Sequence, residues 1–230
     1  LAVHLIRLLS VLMGAASVYL TYRIVRQILP QAPGLALGAA AVHAFTPMFI
    51  FISGSVNNDN LVVPLSSLAL LMLIRLIQRP TAEPIPWARY LLLGVVLGLA
   101  ALTKTSSLAL TVLTALVVTV RAVRRRSWTE FLAGGAATLV PLLAISGWWF
   151  ARNLRLYGDL TGFSAFFEIL GTRDVPADLA QLWRERYSFL AGYWGNFGGL
   201  NVPMPAWVYT LLNTLAAIAG LGLLALLFRV

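Results

Sequence analysis

An all-α protein that crosses a membrane several times is the fold class that this sequence predicts. Three observations carry the prediction. Only 11% of the 230 residues are charged, whereas soluble domains carry about 25%. Sixty per cent are hydrophobic, and the mean hydropathy is +0.84. Segments such as 34–56, 129–150 and 207–228 are mostly apolar over about 22 residues each, and an α-helix needs roughly 20 to cross a bilayer.

The hydropathy pattern predicts about seven transmembrane helices in a single transmembrane domain, residues 1–230. They are placed at 3–22, 34–56, 61–77, 90–103, 106–120, 129–150 and 207–228. One larger extracytoplasmic loop, 151–206, is rich in Trp, Tyr, Phe and Gly. Loops of that length are usually functional rather than simple connections, and the amphipathic stretch 178–190 suits a position flat on the membrane.

The charges between the predicted spans indicate which side each loop faces. One side holds ten basic and two acidic residues, and the other holds six of each. Because cytoplasmic loops carry an excess of Lys and Arg, the first side is assigned to the cytoplasm. It comprises Arg23, Arg26, Arg75, Arg79, Arg89, Arg121, Arg124, Arg125, Arg126, Arg229, Glu83 and Glu130. The outer side comprises Lys104, Arg152, Arg155, Arg173, Arg184, Arg186, Asp59, Asp159, Glu168, Asp174, Asp178 and Glu185.

Residues 90–120 allow two interpretations. As one helix they would extend about 46 Å at 1.5 Å per residue, with Lys104 in mid-bilayer and the arginines of 121–126 on the outer side. Two helices avoid that placement and are favoured, although each is then only about 21 Å long. Their junction, 103–107, is expected below the outer surface. Irregular backbone at that depth needs protein or water around it, so a cavity is expected near Lys104.

Several classes of function are not supported by the composition. The chain contains no Cys, which excludes disulfides and thiolate metal sites. The basic residues fall in loops rather than on a soluble face, so no nucleic acid partner is expected. No phosphate-binding or dinucleotide glycine motif is present, and no nucleotide cofactor is expected. The chain begins at Leu1 and ends just after an apolar segment, which predicts a fragment of a longer protein.

Four polar residues, Asn57 to Asn60, interrupt the apolar sequence. Asp59 and its neighbours suit helix capping, because an Asp or Asn before a helix accepts a hydrogen bond from its free N–H groups. A charge at membrane depth equally indicates a functional site. Asp59 and Asn57 also offer oxygen ligands for Mg²⁺ or Mn²⁺. The question of a divalent metal stays open, since two neighbouring groups do not make a site.

Two basic residues are candidates for binding an anion. Lys104 is the only lysine in the chain, and it lies beside hydroxyl residues at the start of the next helix. Such an arrangement suits a phosphate, although a lysine that extends toward the membrane surface would look the same. Arg152 follows the aromatic pair Trp148 and Trp149. At that depth an arginine can bind a lipid phosphate through two hydrogen bonds, while the tryptophans suit an interfacial belt.

Five segments together resemble the GT-C superfamily of integral-membrane glycosyltransferases. The resemblance is to the branch of protein O-mannosyltransferases and lipid A aminoarabinose transferases, with their uncharacterised bacterial relatives. The segments, in the order of the family, are RLLSVLMGAASVYLTYRI, PMFIFISGSVNNDNL, GLAALTKTSSLAL, GWWFARNLRLYGD and YWGNFGGLNVPMPAW. They spread over nearly the whole chain. Each is weak alone, and the set specifies the superfamily better than the substrate.

The resemblance implies a transferase of the bacterial cytoplasmic membrane whose active site faces outward. The donor would be a sugar on a polyprenyl phosphate, and the acceptor a protein, a lipid or a glycan. Asp59 matches an acid that lines the active-site cavity and is the catalytic candidate. Lys104 and Arg152 match donor-phosphate ligands, and Asn57 and Asn58 would line the same cavity. The family's catalytic base lies in a first outer loop, which is expected before Leu1.

A second class of function remains open at this level. A transporter or flippase for a lipid-linked saccharide could use the same cations to hold phosphate without a reaction. An acid in an outer loop upstream of Leu1 would favour the enzyme.

Overall fold

The computed structural model describes residues 2–173 and 175–228. Asp174 and Arg229, which the sequence assigns to opposite sides of the membrane, lie outside the described residues. The chain forms two compact units. One consists of Leu1–Ala44 and Ile52–Thr172, and the other of Phe45–Phe51 and Arg173–Val230.

The described residues are mostly α-helical, which confirms the predicted fold class. The helices are α1 Ala2–Ile28, α2 Pro33–Phe45, α3 Pro47–Ser53, α4 Asp59–Gln78, α5 Trp87–Thr103, α6 Ala109–Arg125, α7 Trp128–Tyr157, α8 Phe163–Leu170, α9 Leu179–Trp194 and α10 Ala206–Leu227. A 3₁₀ turn, Thr105–Leu108, joins α5 to α6. Two short antiparallel strands, β1 Asn196–Phe197 and β2 Val202–Pro203, lie between α9 and α10.

Within the described part of the chain, five helices are long and apolar enough to cross a membrane: α1, α4, α6 with the turn before it, α7 and α10. The bent pair of α2 and α3 makes a sixth if it counts as one span. The remaining predicted span corresponds to α5, which is apolar but has 17 residues. At 1.5 Å per residue it extends about 25 Å, less than the roughly 30 Å of a typical hydrocarbon core.

One predicted span is not a continuous helix. The sequence places a single helix at 34–56, but the helix ends at Phe45 and a second begins at Pro47. Proline lacks a backbone N–H, and its ring disfavours helical dihedrals for the residue before it. Thr46 therefore lies at a break, and the prediction of one helix was wrong.

Helix α7 extends beyond the predicted end of its span. The expected boundary was residue 150, but the helix continues to Tyr157 and ends where Gly158 adopts φ +70°. Glycine takes that left-handed conformation without steric cost, which is why it commonly follows the last residue of a helix. Arg152 consequently lies on the helix itself, more than one turn before its end, and not on a loop.

The two-helix interpretation of residues 90–120 is confirmed. Lys104 has extended backbone, φ −158° and ψ 127°, which ends α5. Tyr90, at the start of α5, and Arg121, near the end of α6, both hydrogen-bond to Glu130 Oε1, at 2.6 and 2.9 Å. In one straight helix, Tyr90 and Arg121 would be about 46 Å apart. The chain therefore turns back at Lys104.

Helices α5 and α7 pack closely and run in the same direction. Gly94 lies against the backbone of Thr138, and Gly98 lies against Leu142 and Ile145. Glycine at this four-residue spacing lets two helix backbones approach. A Cβ at Gly94 would overlap the carbonyl oxygen of Thr138, so the packing leaves no room for a side chain at that position.

Replacing Gly94 by Ala is expected to destabilise the protein by about 1–3 kcal/mol, the usual cost of overpacking. Gly147→Ala is the matched control in α7, because its added Cβ would meet nothing closer than 3.8 Å. That control should be neutral or slightly stabilising. Unfolding by denaturant in detergent micelles measures both, and equal stability of the two variants would contradict the packing described.

The buried core of the first unit lies between α4, α5, α6 and α7. Helix α5 packs against both α4 and α7, α6 packs against α4 and α7, and α1 packs against α4. The core residues include Leu73, Leu76, Tyr90, Leu93, Leu97, Val118 and Leu142. The start of α4, the end of α5 and the C-terminal half of α7 are thus fixed by packing further along each helix.

The second unit is held together by hydrogen bonds around the strand pair. Trp194 Nε1 donates to Asn213 Oδ1 at 2.8 Å, which joins α9 to α10. The Tyr209 hydroxyl donates to the Gly195 carbonyl at 2.6 Å and accepts from the Met204 N–H at 2.8 Å. The stretch 178–190 is helical as part of α9, and Asp178 caps that helix through the Gln181 N–H.

Candidate functional site

An ion pair joins the two most distinctive polar segments of the sequence. Lys104 Nζ lies 2.5 Å from Asp59 Oδ1. The two residues are 45 positions apart, and the pair spans the start of α4 and the end of α5. Their side chains are 41% and 33% exposed. The pair is therefore open enough for another anion or hydroxyl group to reach it.

The turn before α4 leaves the Asp59 carboxylate free for this pair. Asn57 Oδ1 accepts the Asp59 backbone N–H at 2.9 Å, so Asn57 supplies the local turn. Asn58 Nδ2 donates to the Thr103 carbonyl at 3.3 Å and ties the turn to the end of α5. The capping interpretation is therefore wrong for this turn: the N-cap residue Asn58 makes no side-chain capping hydrogen bond, and the Asp59 side chain contacts a residue of another helix.

Asn60 holds the same turn from inside, a role that the sequence did not suggest. Its side chain is 4% exposed, and Nδ2 donates to the carbonyls of Ile52 and Ser55 at 3.0 and 2.8 Å. A buried amide that satisfies two backbone acceptors fixes the chain before α4. The position of Asp59 at the first residue of the helix follows from this arrangement.

The turn after α5 contains Ser107, a polar residue three positions after Lys104. The Lys104 carbonyl accepts the Ser107 N–H at 3.0 Å, which closes the 3₁₀ turn. Ser107 is 7% exposed, and its hydroxyl has no hydrogen-bond partner within the described residues. A buried hydroxyl without a partner is costly in a protein, and this one is enclosed by the turn rather than open to the surface.

Arg152 lies on α7, the helix that packs against α5, and Lys104 lies at the end of α5. Its guanidinium carbon sits 4.9 Å from the centre of the Trp149 ring, and Nη1 lies 3.4 Å from Asn153 Oδ1. Among residues 2–173 and 175–228, it forms no ion pair with a carboxylate. Its charge is therefore available to an anion.

The packing of α5 and α7 sets the level of Arg152. Because Gly94 meets Thr138 and Gly98 meets Leu142, residues 44 positions apart lie side by side. Lys104 then corresponds to the level of Trp148. Arg152 lies one turn further along α7, about 6 Å at 1.5 Å per residue. Among the described residues, no ion pair joins Arg152 to Asp59, but the packing of α5 and α7 puts Arg152 at the same end of the helices as the Asp59–Lys104 pair.

Asp159, the acid closest in sequence to Arg152, is already engaged in its own loop. Its carboxylate accepts the Ser164 N–H at 2.9 Å, and the Thr161 hydroxyl and N–H at 2.6 Å each. These hydrogen bonds hold the pKa of Asp159 well below its usual range. A carboxylate that is ionised and fully bonded is a poor partner for an acceptor hydroxyl. Asp59 is thus the better candidate at this end.

A buried ionic cluster lies at the opposite end of the helices. Glu130 is fully buried and accepts hydrogen bonds from Tyr90 and Arg121. Arg125 lies 3.5 Å from Glu130 Oε2 and donates to the Glu83 carbonyl. The sequence analysis assigned these charged residues to loops on the cytoplasmic side. The signal that was available is the capping pattern of Ser127 and Glu130 beside the arginine run, since the Ser127 hydroxyl accepts the Glu130 N–H at 3.2 Å.

No group of three His, Cys, Asp or Glu side chains that could hold a metal ion occurs in the part of the chain that the structure describes. Asp59 Oδ1 pairs with Lys104, and Asn57 Oδ1 accepts a backbone N–H. One oxygen of each candidate Mg²⁺ or Mn²⁺ ligand is thus engaged within the protein.

Comparison with known proteins assigns the chain to a family. The family model described as dolichyl-phosphate-mannose-protein mannosyltransferase matches residues 3–150. The matched region includes Asp59 and Lys104 and ends just before Arg152. No curated protein and no solved structure matches the chain. The chain belongs to the dolichyl-phosphate-mannose-protein mannosyltransferase family, a GT-C family of membrane glycosyltransferases that use a sugar carried on a polyprenyl phosphate.

Proposed function

We propose that this protein transfers a sugar from a polyprenyl-phosphate donor to an acceptor at the outer face of the bacterial cytoplasmic membrane. Asp59 is the catalytic candidate, Lys104 and Arg152 bind the donor phosphate, and Asn57 and Asn58 line the same cavity. The observation that carries the proposal is the half-exposed Asp59–Lys104 pair between two helix ends, in a chain that belongs to this family.

The chemistry of the transfer explains why a cation and a carboxylate occur together. The acceptor hydroxyl attacks the anomeric carbon of the sugar, and the bond from that carbon to the phosphate oxygen breaks. The departing polyprenyl phosphate gains negative charge, so a cation placed beside it lowers the barrier. The acceptor also loses a proton to a base. The resemblance assigns that base to an outer loop before Leu1, and Asp59 would hold the acceptor hydroxyl in the same cavity.

Donor binding would also release Asp59. In the structure Lys104 Nζ is paired with the carboxylate at 2.5 Å. A lipid phosphate competes for the same ammonium group. Once Lys104 turns to the phosphate, the Asp59 carboxylate is free for the acceptor. The proposal thus gives the two halves of the pair successive roles.

The outer face is supported by the distribution of charge. The end that carries Arg79, Arg121 and Arg125 opposes the end that carries Lys104, because α5 and α6 run between them. The arginine-rich end is the cytoplasmic one under the positive-inside rule. Lys104 and Asp59 would then face outward. A transporter of a lipid-linked saccharide is the alternative function, and it would use the same cations.

Lys104→Ala and Arg152→Ala are each expected to remove the stabilisation that the donor lipid gives. Undecaprenyl phosphate at a hundredfold excess over Kd should stabilise the wild-type protein by roughly 2.7 kcal/mol, because it binds only the folded state. The melting temperature in detergent, with and without the lipid, measures this. Arg155→Ala is the matched control, since Arg155 is an exposed arginine of the same helix.

The control should retain the full shift. If all four proteins shift equally, these cations are not the phosphate ligands. If none shifts, the protein does not bind a polyprenyl phosphate, and both the transferase and the transporter are contradicted.

A further inference from the structure

A groove between α6 and α7 is not used by the proposed reaction. We propose that it binds one anionic phospholipid, with the phosphate at Arg126 and an acyl chain along the two helices. The proposal does not depend on the transferase function, because the groove begins at the end of the helices opposite Lys104.

The groove consists of two adjoining cavities. The first has a volume of about 390 Å³ and is lined by Arg126, Ser127 and Trp128 with apolar residues. The second, about 480 Å³, continues along α6 and α7. Both cavities are lined by Thr119 and Phe131, so one leads into the other. A single elongated ligand can occupy both.

The length of the groove suits an acyl chain. Its lining extends along α6 from Thr111 to Arg126, the residue just after the helix, which is about 22 Å at 1.5 Å per residue. One leaflet of the hydrocarbon core is roughly 15 Å thick, half of the whole. The groove therefore covers a full leaflet from the surface inward. Its wall there is mostly apolar, with residues such as Leu132, Leu139 and Leu142.

The arginines at the mouth are not equivalent. Arg121 and Arg125 are engaged by Glu130 and by backbone carbonyls. Arg126, in contrast, is exposed and pairs with no carboxylate among the described residues. It is the arginine that lines the groove. The free cation and the apolar groove together are complementary to a lipid that has an anionic headgroup.

Two neighbours complete the headgroup position. The Ser127 hydroxyl accepts a backbone N–H, and its own proton is left to donate to a phosphate oxygen. Trp128 is 79% exposed, and tryptophan prefers the level of lipid headgroups. Basic pockets between transmembrane helices on the cytoplasmic side bind the headgroups of anionic lipids. This arrangement favours a phospholipid of the membrane itself over the donor, whose phosphate belongs at Lys104.

The test measures retention of dioleoylphosphatidylglycerol on the purified protein by native mass spectrometry. Arg126→Gln should weaken binding about fivefold, because one arginine near an anionic lipid contributes about 1 kcal/mol and 1.4 kcal/mol is tenfold. Arg89→Gln removes the same charge from an exposed arginine at the same end that does not line the groove. It should leave binding unchanged.

A second pair of variants tests the apolar part of the groove. Gly135 lines the groove, and an added Cβ would meet nothing within 4 Å. Gly135→Leu should therefore fill the groove without strain and weaken phosphatidylglycerol binding at least as much as Arg126→Gln. Gly38→Leu is the control, since it has equal space but lies on α2. Equal melting temperatures without lipid would show that all four variants fold.

Three results would overturn the proposal. Phosphatidylcholine could bind as tightly as phosphatidylglycerol, which would exclude recognition of charge. The variants could affect undecaprenyl phosphate and not phosphatidylglycerol, which would make the groove part of the donor site. Gly135→Leu could instead abolish a dimer, which would make the groove an interface between two copies of the chain.

Discussion

Replacing Asp59 by Asn is expected to reduce sugar transfer by a factor of about 10², a loss typical of a reactant that is held out of position. Binding of the donor lipid should be retained or strengthened. The reason is the ion pair: Asp59 holds the Lys104 ammonium at 2.5 Å, and the amide of Asn competes less with an incoming phosphate. The change thus separates catalysis from binding within one pair of residues.

The measurement is transfer of labelled sugar from a polyprenyl-phosphate donor in membranes from cells that produce the protein. Asp159→Asn is the matched control, because its carboxylate is occupied by Thr161 and Ser164 and should not take part in transfer. Transfer that persists in Asp59→Asn at the wild-type rate would contradict a catalytic role for Asp59.

The second large effect is expected at the buried cluster. Glu130→Ala should destabilise the protein by about 3–5 kcal/mol, because it leaves an unpaired charge on Arg121 in the interior. The side chains of the pair are 2% and 0% exposed, so water cannot replace the lost carboxylate. The cluster joins the ends of α4, α5, α6 and α7, and the loss should therefore affect the whole first unit.

Unfolding in mixed micelles measures this loss. Glu185→Ala breaks the Arg173–Glu185 pair, whose side chains are 53% and 42% exposed, and should change stability little because exposed pairs contribute little. The double variant Arg121→Met with Glu130→Leu removes both buried charges and should recover part of the stability. A Glu130→Ala protein as stable as the Glu185→Ala protein would contradict the structural role of the cluster.

Much of the fold is predictable because a bilayer imposes simple rules. Apolar segments of about 20 residues must become helices, and the structure has helices at each predicted segment. The exceptions are local. Pro47 breaks the segment 34–56. An average of hydropathy over the segment is insensitive to the missing N–H of a single proline. The helix α7 continues to Tyr157, because nothing before Gly158 stops it and polar residues do not end a helix by themselves.

The sequence predicts which residues form the candidate site, but it does not predict how they contact one another. The sequence singles out Asp59 and Lys104 as charges among apolar residues, yet nothing in it indicates that they form an ion pair. That pairing depends on how α4 packs against α5. The role of Asn60 was missed for a similar reason, since its partners are backbone carbonyls of the preceding turn, and such contacts leave no pattern in the side chains.

The buried cluster was missed because charge counts describe loops and not depth. Glu130 and Arg121 are counted among the residues of one side, and the contacts of Arg79, Glu83 and Arg125 place them together at one end. Burial of a charge becomes predictable only when its partner is known. Here the partner is nine residues away across a turn, in which Arg126 adopts φ +51°.

The proposed phosphate site can be tested most directly at Lys104 itself. Since the chain has one lysine, protein labelled with 15N-lysine gives one side-chain ammonium signal in a nuclear magnetic resonance spectrum. We expect undecaprenyl phosphate to shift this signal in a saturable manner as Lys104 exchanges Asp59 for the phosphate, while phosphatidylglycerol leaves it unchanged. A signal that does not move at saturating undecaprenyl phosphate would contradict the assignment of Lys104 as the donor-phosphate ligand.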